Sequence, residues 1–258
     1  MKRTHQLLAF AMASLFAFSP LANAQPTDKK QVESIVKDYI LQNPDVLVQS
    51  LQNYQQKQME QTQQSFKKIQ ETAPQYADRI FHQANDPIGG NPKGTITLVE
   101  FSDYQCPHCV DMAPVVDNLI KNNPNLRVVF KEFPIRGPIS EFAAKAALAA
   151  QKQGKYLDFH NGLMKSKTEP LTEDAIYKIA QSIGLDVNKL KADIKDNSVD
   201  QQIKGTYKLA QDLKIIYTPV FFIAKTDVNA KSGPNAVVFI PGGVTEDQIN
   251  DAISKLGT

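Results

Sequence analysis

The stretch Cys106-Pro107-His108-Cys109 decides how the rest of the chain is interpreted, and it contains the two cysteines of the 258-residue sequence. An apolar, strand-like run at 95–101 precedes it, and the residues after Cys106 follow the pattern of a helix. Cysteines at the start of a helix lie near unpaired backbone N–H groups and the positive end of the helix dipole. Both features favour the thiolate, which is the form of cysteine that attacks disulfides.

Each residue of this stretch has an expected role. Pro107 fits the first turn of a helix because it has no N–H group to leave unpaired. His108 can add a positive charge and a hydrogen-bond donor beside a thiolate. We predict that Cys106 is the nucleophile, since it precedes the helix and should be the more exposed thiol. Cys109, one turn further along, is then the resolving thiol.

Three other interpretations of the cysteine pair are less favoured. A structural zinc site takes four ligands, and the chain offers neither a second cysteine pair nor two histidines at ligand spacing. Attachment of a c-type haem would need histidine at position 110, where the chain has Val110. A purely structural disulfide would close a loop too short to constrain the unfolded chain much. The pair therefore indicates redox catalysis, and we expect no metal and no cofactor.

The segment Phe101-Ser-Asp-Tyr-Gln-Cys-Pro-His-Cys109 resembles the active site of the DsbA family of periplasmic thiol–disulfide oxidoreductases. The resemblance covers roughly residues 86–258. It implies an α/β thioredoxin fold with a helical subdomain inserted at about 140–213. It also implies that Thr218-Pro219, which lies inside an apolar run, is a cis-proline segment that faces the active site. Proline within such a run otherwise argues against a strand.

Two charged residues are supporting candidates. Glu100 lies six residues before Cys106 and matches an acidic residue below the DsbA active site. It could relay protons to Cys109, which must ionise when a mixed disulfide is resolved. Lys131 could lie near Glu100. The alternative for Lys131 is an exposed charge at the end of a strand, since most charged side chains are solvated.

The first 24 residues have the pattern of a secretory signal peptide. Lys2 and Arg3 precede an apolar run at 7–18, which is shorter than a membrane span, although an uncleaved anchor is the alternative. Small residues end the segment, so we expect the mature chain to begin at Gln25. Without Lys2 and Arg3 the 29 basic residues become 27 and equal the 27 acidic ones. This balance predicts neither nucleic acid nor an anionic membrane as a partner.

Residues 25–85 are predicted to form an N-terminal helical arm. Asn43-Pro44 breaks it into two helices, because the residue before proline resists the helical conformation. Apolar residues recur at helical spacing on both sides of the break, at Val32, Ile35, Val36, Tyr39, Ile40, Leu47, Leu51 and Tyr54. A thin arm cannot bury these stripes within itself, so they contact either the catalytic domain at 86–258 or a second chain. We favour a homodimer.

Taken together, these features predict an exported oxidoreductase that forms disulfides in secreted proteins, in an oxidising compartment such as the periplasm. Its expected partners are unfolded or reduced exported proteins and a DsbB-like or DsbD-like membrane protein that resets the cysteines. Peripheral association with the outer membrane is compatible with this location. The alternative is a dimeric disulfide isomerase, because threonine at 218 resembles isomerase-type members. A non-enzymatic exported chaperone or surface antigen is less favoured.

Overall fold

The computed structural model describes residues 28–166 and 171–257. The predicted signal peptide at 1–24 lies outside the described residues. The chain divides into two compact units, and the division falls between Gln58 and Met59. Each unit is described by itself below.

The first unit contains α1 (Lys29–Gln42) and the beginning of α2 (Pro44–Thr72). The Asp28 side chain caps α1 by accepting a hydrogen bond from the backbone N–H of Lys30 at 3.2 Å. The helix boundary at Asn43-Pro44 lies where the sequence predicts it. The large apolar side chains here are exposed: Val32, Ile35, Val36, Tyr39, Leu41, Val46, Leu47, Val48, Leu51 and Tyr54. Within the first unit, most of the predicted apolar stripe is therefore uncovered, and Ile40 is half-buried.

A five-stranded sheet forms the centre of the second unit, in the order β1-β3-β2-β4-β5. Its strands are β1 (Ile88–Gly90), β2 (Ile96–Ser102), β3 (Leu126–Glu132), β4 (Val220–Lys225) and β5 (Val237–Pro241). β2 and β3 are parallel, and every other neighbouring pair is antiparallel. The short strand β1 lies in a stretch whose glycines otherwise indicate turns, and Gly90 has the positive φ of 69° that glycine adopts readily.

The helices of the second unit flank this sheet or form an insertion. A 3₁₀ turn at Ala73–Tyr76 follows α2. The remaining helices are α3 (Ala77–Phe81), α4 (Pro107–Asn122), α5 (Pro138–Gln151), α6 (Tyr156–Met164), α7 (Glu173–Ser182), α8 (Val187–Asp193), α9 (Asn197–Leu213) and α10 (Glu246–Gly257). Helices α5 to α9 lie between β3 and β4. The predicted α/β class, with N-terminal helices and an inserted helical region, is confirmed.

The sheet has a buried core on each face. Leu98, Val128 and Phe130 contact the core that contains α4 and the inserted helices. Phe101 and Val129 belong to the other core, together with residues from the end of α2 to α3. Both β2 and β3 are buried along their whole length, and successive side chains of a strand point to opposite faces. In β2 and β3, every second side chain therefore points to the face that carries α4 and the cysteines, and the side chains between them point to the other face.

The segment from Ile69 to Phe81 is part of the second unit's core, and Ile80 and Phe81 are fully buried there. Two basic side chains of β3 hold it to the sheet. Arg127 donates to the backbone carbonyl of Phe81 at 2.9 Å, and Lys131 donates to that of Arg79 at 2.7 Å. The second unit therefore begins earlier in the chain than the boundary at 85–86 that the sequence suggests.

Candidate active site

The two cysteines lie at the start of α4. Cys106 is the residue that caps the helix, and Pro107 is its first residue. The backbone N–H of Cys109 donates to the Cys106 carbonyl at 2.9 Å. Both thiols are free, and both are 0% exposed. The strand before them and the helix after them thus place two thiols within one helical turn, as the sequence predicts.

The two thiols have opposite electrostatic environments. A hydrogen bond from the Cys109 side chain is the largest cause that lowers the pKa of Cys106, to about 5. Burial is the largest cause that raises the pKa of Cys109 far above its usual value, and the hydrogen bond to Cys106 acts in the same direction. At neutral pH Cys106 is therefore a thiolate, and Cys109 is a thiol that stabilises it. This asymmetry agrees with the predicted roles of nucleophile and resolving thiol.

Solvent accessibility does not distinguish the two thiols, although Cys109 is the more deeply buried and the sequence predicts that Cys106 is the more exposed. The reason is the segment before β4, which covers Cys106: its Sγ lies 3.3 Å from the carbonyl oxygen of Thr218. Pro107 and His108, between the cysteines, are exposed. The difference between the cysteines is thus one of proton affinity. The contribution of His108 to the Cys106 thiolate remains a prediction.

The Thr218–Pro219 peptide bond is cis, as the resemblance implies. It lies beside the cysteines because β4 pairs with β2 in antiparallel register, with Val220 opposite Phe101. Thr218 also lowers the pKa of Cys106. Its hydroxyl is buried and has no hydrogen-bond partner within the described ranges. This hydroxyl is therefore available to donate to the Cys106 thiolate.

Asp103 connects the loop before α4 with the loop after β3. Its carboxylate accepts hydrogen bonds from the backbone N–H of Gln105 at 2.7 Å and of Arg136 at 2.9 Å, and from the Ser140 hydroxyl at 2.7 Å. This arrangement holds Arg136 near the thiolate, and the positive charge of Arg136 lowers the pKa of Cys106. The sequence carries no local signal for Arg136, because it lies 30 positions after Cys106 and only the fold brings it near.

Glu100 lies beneath the cysteines, as the sequence predicts. It is 1% exposed, and neither carboxyl oxygen has a hydrogen-bond partner among the described residues. Burial, followed by the nearby charge of Glu132, raises its pKa to about 8. The charge of Glu100 in turn raises the pKa of Cys109. A carboxyl that ionises near neutral pH beside the resolving thiol is suited to exchange a proton with it.

Lys131 does not lie beside Glu100, and this expectation is corrected. It occupies the opposite face of the sheet, since Lys131 pairs with Phe101 in the register and Glu100 pairs with Phe130. Nor is it an exposed charge: it is 3% exposed and donates to the Asp86 carboxylate at 2.5 Å. Lys131 therefore supports the attachment of 79–86 to the sheet.

The residue that β3 places near Glu100 is Glu132, which the sequence analysis missed. Its Oε1 accepts hydrogen bonds from the hydroxyl groups of Tyr104 at 2.7 Å and Tyr156 at 2.6 Å. Tyr104 is also 3.0 Å from Nδ1 of His160, which is buried as a structural residue. The strict alternation from Val128 through Phe130 to Glu132 could have identified it, since all three share the face below α4.

Two negative findings concern the part of the chain that the structure describes. No helix there is both long and apolar enough to traverse a bilayer. No cluster of three or more histidine, cysteine, aspartate or glutamate side chains there could hold a metal ion.

Two family patterns match the chain. The first is the DSBA-like thioredoxin domain, which matches residues 97–254. The second is the N-terminal domain of the copper resistance protein ScsC, which matches residues 28–61. The first match covers more than half of the chain and includes the cysteines and the cis-proline. The second covers residues 28–61 of the helical arm predicted at 25–85.

Solved structures agree with these matches. BcfH of Salmonella enterica Typhimurium is 32% identical, covers 89% of this chain and 96% of its own, and gives a TM-score of 0.67. A thioredoxin-like oxidoreductase from Silicibacter pomeroyi DSS-3 is 38% identical, with a TM-score of 0.62 over 69% of this chain and 95% of its own. The predicted thioredoxin fold is therefore confirmed.

One curated relative is a much longer protein, and the chain resembles only a segment of it. The Na(+)/H(+) antiporter NhaA 3 of Salinispora tropica is 27% identical over 146 residues, which are 54% of this chain and 21% of the antiporter. This chain thus spans about a fifth of that protein's length. The family assignment rests on the match across 97–254, together with the two free thiols, the cis-proline and the five-stranded sheet. The chain belongs to the family of DsbA-like thioredoxin domains.

Proposed function

We propose that this protein is an exported thiol–disulfide oxidoreductase that forms disulfides in client proteins through Cys106 and Cys109. The observation that carries the proposal is the opposite proton affinity of two adjacent thiols, with the pKa of Cys106 lowered to about 5 and that of Cys109 raised. A thiol with a low pKa is a good leaving group, and a stabilised thiolate favours the reduced form. Both properties make the Cys106–Cys109 disulfide an oxidant.

The reaction proceeds in two exchanges. A client thiolate attacks Cys106 Sγ, the disulfide bond breaks, and its electron pair goes to Cys109, which takes up a proton. A second client thiolate then attacks the client sulfur of the mixed disulfide, and Cys106 leaves as a thiolate. The client loses two electrons and the protein gains them. Thr218 and the cis-proline support the client segment beside Cys106.

The test is the equilibrium of the cysteine pair with glutathione, together with the rate at which the oxidised protein oxidises a dithiol peptide. The matched control is the double variant Cys106→Ser/Cys109→Ser, which keeps the size of both side chains. We expect stoichiometric oxidation of the peptide by the wild type and none by the control. A protein whose disulfide neither forms nor exchanges with these thiols would instead be a binding protein with an inert disulfide.

Disulfide isomerisation is the second candidate, and two observations favour it. Threonine precedes the cis-proline, which resembles isomerase-type members, and its backbone carbonyl oxygen lies 3.3 Å from Cys106 Sγ. The exposed apolar stripes of 29–58 suit an interface with a second copy of the chain. Burial of each such side chain contributes about 1.5–3 kcal/mol, and a symmetric contact buries every residue twice. Two catalytic domains joined in this way would raise the effective concentration of the second site.

The isomerase candidate requires the dithiol form and more than one chain. Refolding of a scrambled substrate with several disulfides measures the activity, and analytical ultracentrifugation measures the number of chains. A homodimer with isomerase activity supports this candidate. An assembly of more than two chains would still support self-association through the arm, but it would contradict the predicted number of two chains. A monomer that oxidises thiols but does not isomerise disulfides would restrict the function to oxidation.

The proposed location is the periplasm, with release from the predicted signal peptide at about Gln25. DsbA-like and ScsC-like proteins are periplasmic and interact with client proteins and redox partners. Reduced or unfolded exported proteins are the proposed clients, and a DsbB-like or DsbD-like membrane protein would reset the cysteines. Alkylation of thiols in intact cells tests this choice. A mostly oxidised pair indicates an oxidase reset by a DsbB-like partner, and a mostly reduced pair indicates an isomerase or reductase.

A further inference from the structure

Two carboxyl side chains lie together beneath the cysteines with unequal hydrogen bonding. Glu100 on β2 and Glu132 on β3 share one face of the sheet and are 1% and 2% exposed. Glu132 accepts two hydrogen bonds from the hydroxyl groups of Tyr104 and Tyr156. Both of these bonds end on Oε1 of Glu132, and its Oε2, like both oxygens of Glu100, has no hydrogen-bond partner among the residues that the structure describes. The same buried region thus favours a charge on one carboxyl and disfavours it on the other.

Two adjacent buried carboxyls cannot both ionise easily, and the better-solvated one ionises first. Hydrogen bonds from O–H donors stabilise a carboxylate, and both tyrosine hydroxyls lower the pKa of Glu132 against the effect of burial. The charge of Glu132 then raises the pKa of Glu100. Burial still raises the pKa of Glu132 to about 8, as it does that of Glu100, so both carboxyls are protonated at neutral pH. As the pH rises, Glu132, which has two O–H donors, ionises first, and Glu100 keeps its proton longer.

We propose that Glu132 is a positioning residue that takes the first negative charge as the pH rises and thereby keeps Glu100 protonated, so that Glu100 can protonate Cys109 when the disulfide opens. This inference rests on the function proposed above and adds a residue to its mechanism. Glu132 acts through Glu100 and contacts neither the client nor the reacting sulfurs. Tyr104 and Tyr156 hold Glu132 in the orientation that this role requires.

The proton and electron balance of the step is simple. A client thiolate bonds to Cys106 Sγ, and the electron pair of the broken disulfide bond goes to Cys109 Sγ. The Glu100 carboxyl gives its proton to Cys109, because the pKa of Cys109 is far above that of Glu100. Glu100 becomes a buried carboxylate without a hydrogen-bond donor, which favours its reprotonation from solvent. One proton is taken up for each disulfide reduced.

Other ionisable groups also surround this pair. Those that face it or its hydrogen-bond partners are Cys109 and Asp117 of α4, Asp103 and Tyr104 of the preceding loop, and Tyr156 and His160 of α6. On β4, the residue opposite Glu100 is Phe221, which cannot ionise. The basic residues of β3, Arg127 and Lys131, have the opposite parity and bond to the segment 79–86. The positive charges of Arg127 and Lys131 therefore lie on the other face of the sheet and form no ion pair with Glu100 or Glu132.

The experiment measures, as a function of pH, the rate at which a small dithiol client opens the Cys106–Cys109 disulfide. Each rate is divided by the concentration of the client's thiolate, so that ionisation of the client does not contribute to the profile. We expect the wild-type rate to fall as Glu100 ionises at about pH 8. Glu132→Gln keeps the side-chain size and removes the charge, so the fall should move to lower pH by about 1 unit. Tyr156→Phe should move it in the same direction by less. Tyr207→Phe is the control, since its hydroxyl donates to the Pro134 carbonyl instead.

A double variant shows whether Glu132 acts through Glu100. Glu100→Gln should remove the fall, and Glu100→Gln/Glu132→Gln should behave as Glu100→Gln does, because coupled residues are not additive. NMR titration of labelled carboxyl carbons follows Glu100 without any client. Identical profiles for wild type and Glu132→Gln would overturn the inference while leaving the oxidoreductase proposal intact. If Glu132→Gln does not fold, the Tyr156→Phe profile decides in the same way. Absence of exchange in the wild type would instead refute the proposed function.

Discussion

The Sγ atom of Cys106 lies 3.3 Å from the backbone carbonyl oxygen of Thr218, although 112 residues separate the two in the chain. The antiparallel pairing of β2 with β4 creates this contact, since it places the cis peptide at the end of β2 from which the cysteine loop leaves. The thiol can donate to this carbonyl, whereas the thiolate can accept from the Thr218 hydroxyl. One residue can therefore accommodate both protonation states of Cys106.

The roles of the two thiols predict opposite outcomes for single serine variants. Cys106→Ser should abolish exchange, because Cys106 is the thiol that is ionised at neutral pH. Cys109→Ser should retain attack on client disulfides and accumulate mixed disulfides, since the resolving thiol is gone. Non-reducing electrophoresis and mass spectrometry detect these adducts. Client adducts formed through Cys109 in Cys106→Ser would contradict the assignment.

Thr218 is predicted to set the thiolate pKa through its hydroxyl. Thr218→Val keeps the branched shape and removes the donor, so the pKa of Cys106 should rise by about 1 unit. The disulfide should become correspondingly less oxidising. Ultraviolet absorbance of the thiolate, titrated against pH, measures the change. Thr206→Val is the matched control, because its hydroxyl donates to Gln202 within α9. Equal pKa values in wild type and Thr218→Val would exclude a hydrogen bond from this hydroxyl.

Two basic side chains near Cys106 can be tested separately. Arg136→Gln removes a positive charge that lowers the pKa of Cys106, so this pKa should rise by a few tenths of a unit. Because Arg136 is exposed, the rise should be smaller at high salt. His108→Leu should also raise the pKa if the imidazole stabilises the thiolate. Lys195→Gln serves as the charge-matched control, and an Arg136→Gln titration that coincides with this control would refute the electrostatic role.

The buried carboxyl pair predicts a stability that declines with rising pH. The pKa values of Glu100 and Glu132 are raised to about 8 in the folded protein, from an ordinary value of 4.5. Their neutral forms therefore stabilise the fold fully below pH 4.5, and this contribution is lost as the pH rises through 8. In a Cys106→Ser/Cys109→Ser background, the Tm should fall by at least about 3 °C between pH 5 and pH 9. Glu100→Gln/Glu132→Gln should flatten this dependence.

The position of the second unit predicts where the chain can be shortened. A protein that begins at Met59 keeps the buried segment 69–81 and should fold and oxidise thiols. It should be monomeric and lose most isomerase activity, because it lacks the exposed stripes. A protein that begins at Asp86 loses Ile80 and Phe81 and should be much less stable, since removing one buried phenylalanine side chain costs about 3–5 kcal/mol. Equal thermal stability of the two truncations would contradict this description of the core.

Much of the fold was predictable because its information is local. The cysteine stretch, the proline at the first helical position and the apolar run before them specify a strand followed by α4. Asn43-Pro44 likewise specifies the break between α1 and α2. The cis-proline was predictable only by resemblance, since Thr218-Pro219 in an apolar run has no unique local interpretation.

The rest of the site depends on contacts between distant parts of the chain. Glu132, Tyr156 and His160 meet only after the inserted helices fold onto the sheet, and Arg136 approaches Cys106 only through Asp103. Lys131 and Glu100 lie on neighbouring strands, and only their parity in the register shows that they point to opposite faces. In 69–81, helical spacing identifies an apolar face without identifying what covers it, so the sequence alone groups this segment with the arm.

Adjacent residues of β3 carry opposite charges to opposite sides of the sheet: Lys131 to the pair with Asp86, and Glu132 to the region beneath Cys109. Insertion or deletion of a single residue within β3 would exchange them, although the neighbouring valines and phenylalanine would tolerate either face. A lysine would then lie under the resolving thiol and lower its pKa, while a glutamate would oppose Asp86. Changes in β3 that tune the oxidising strength of this protein are therefore expected to be substitutions, because a shift in the length of this strand would invert its electrostatics.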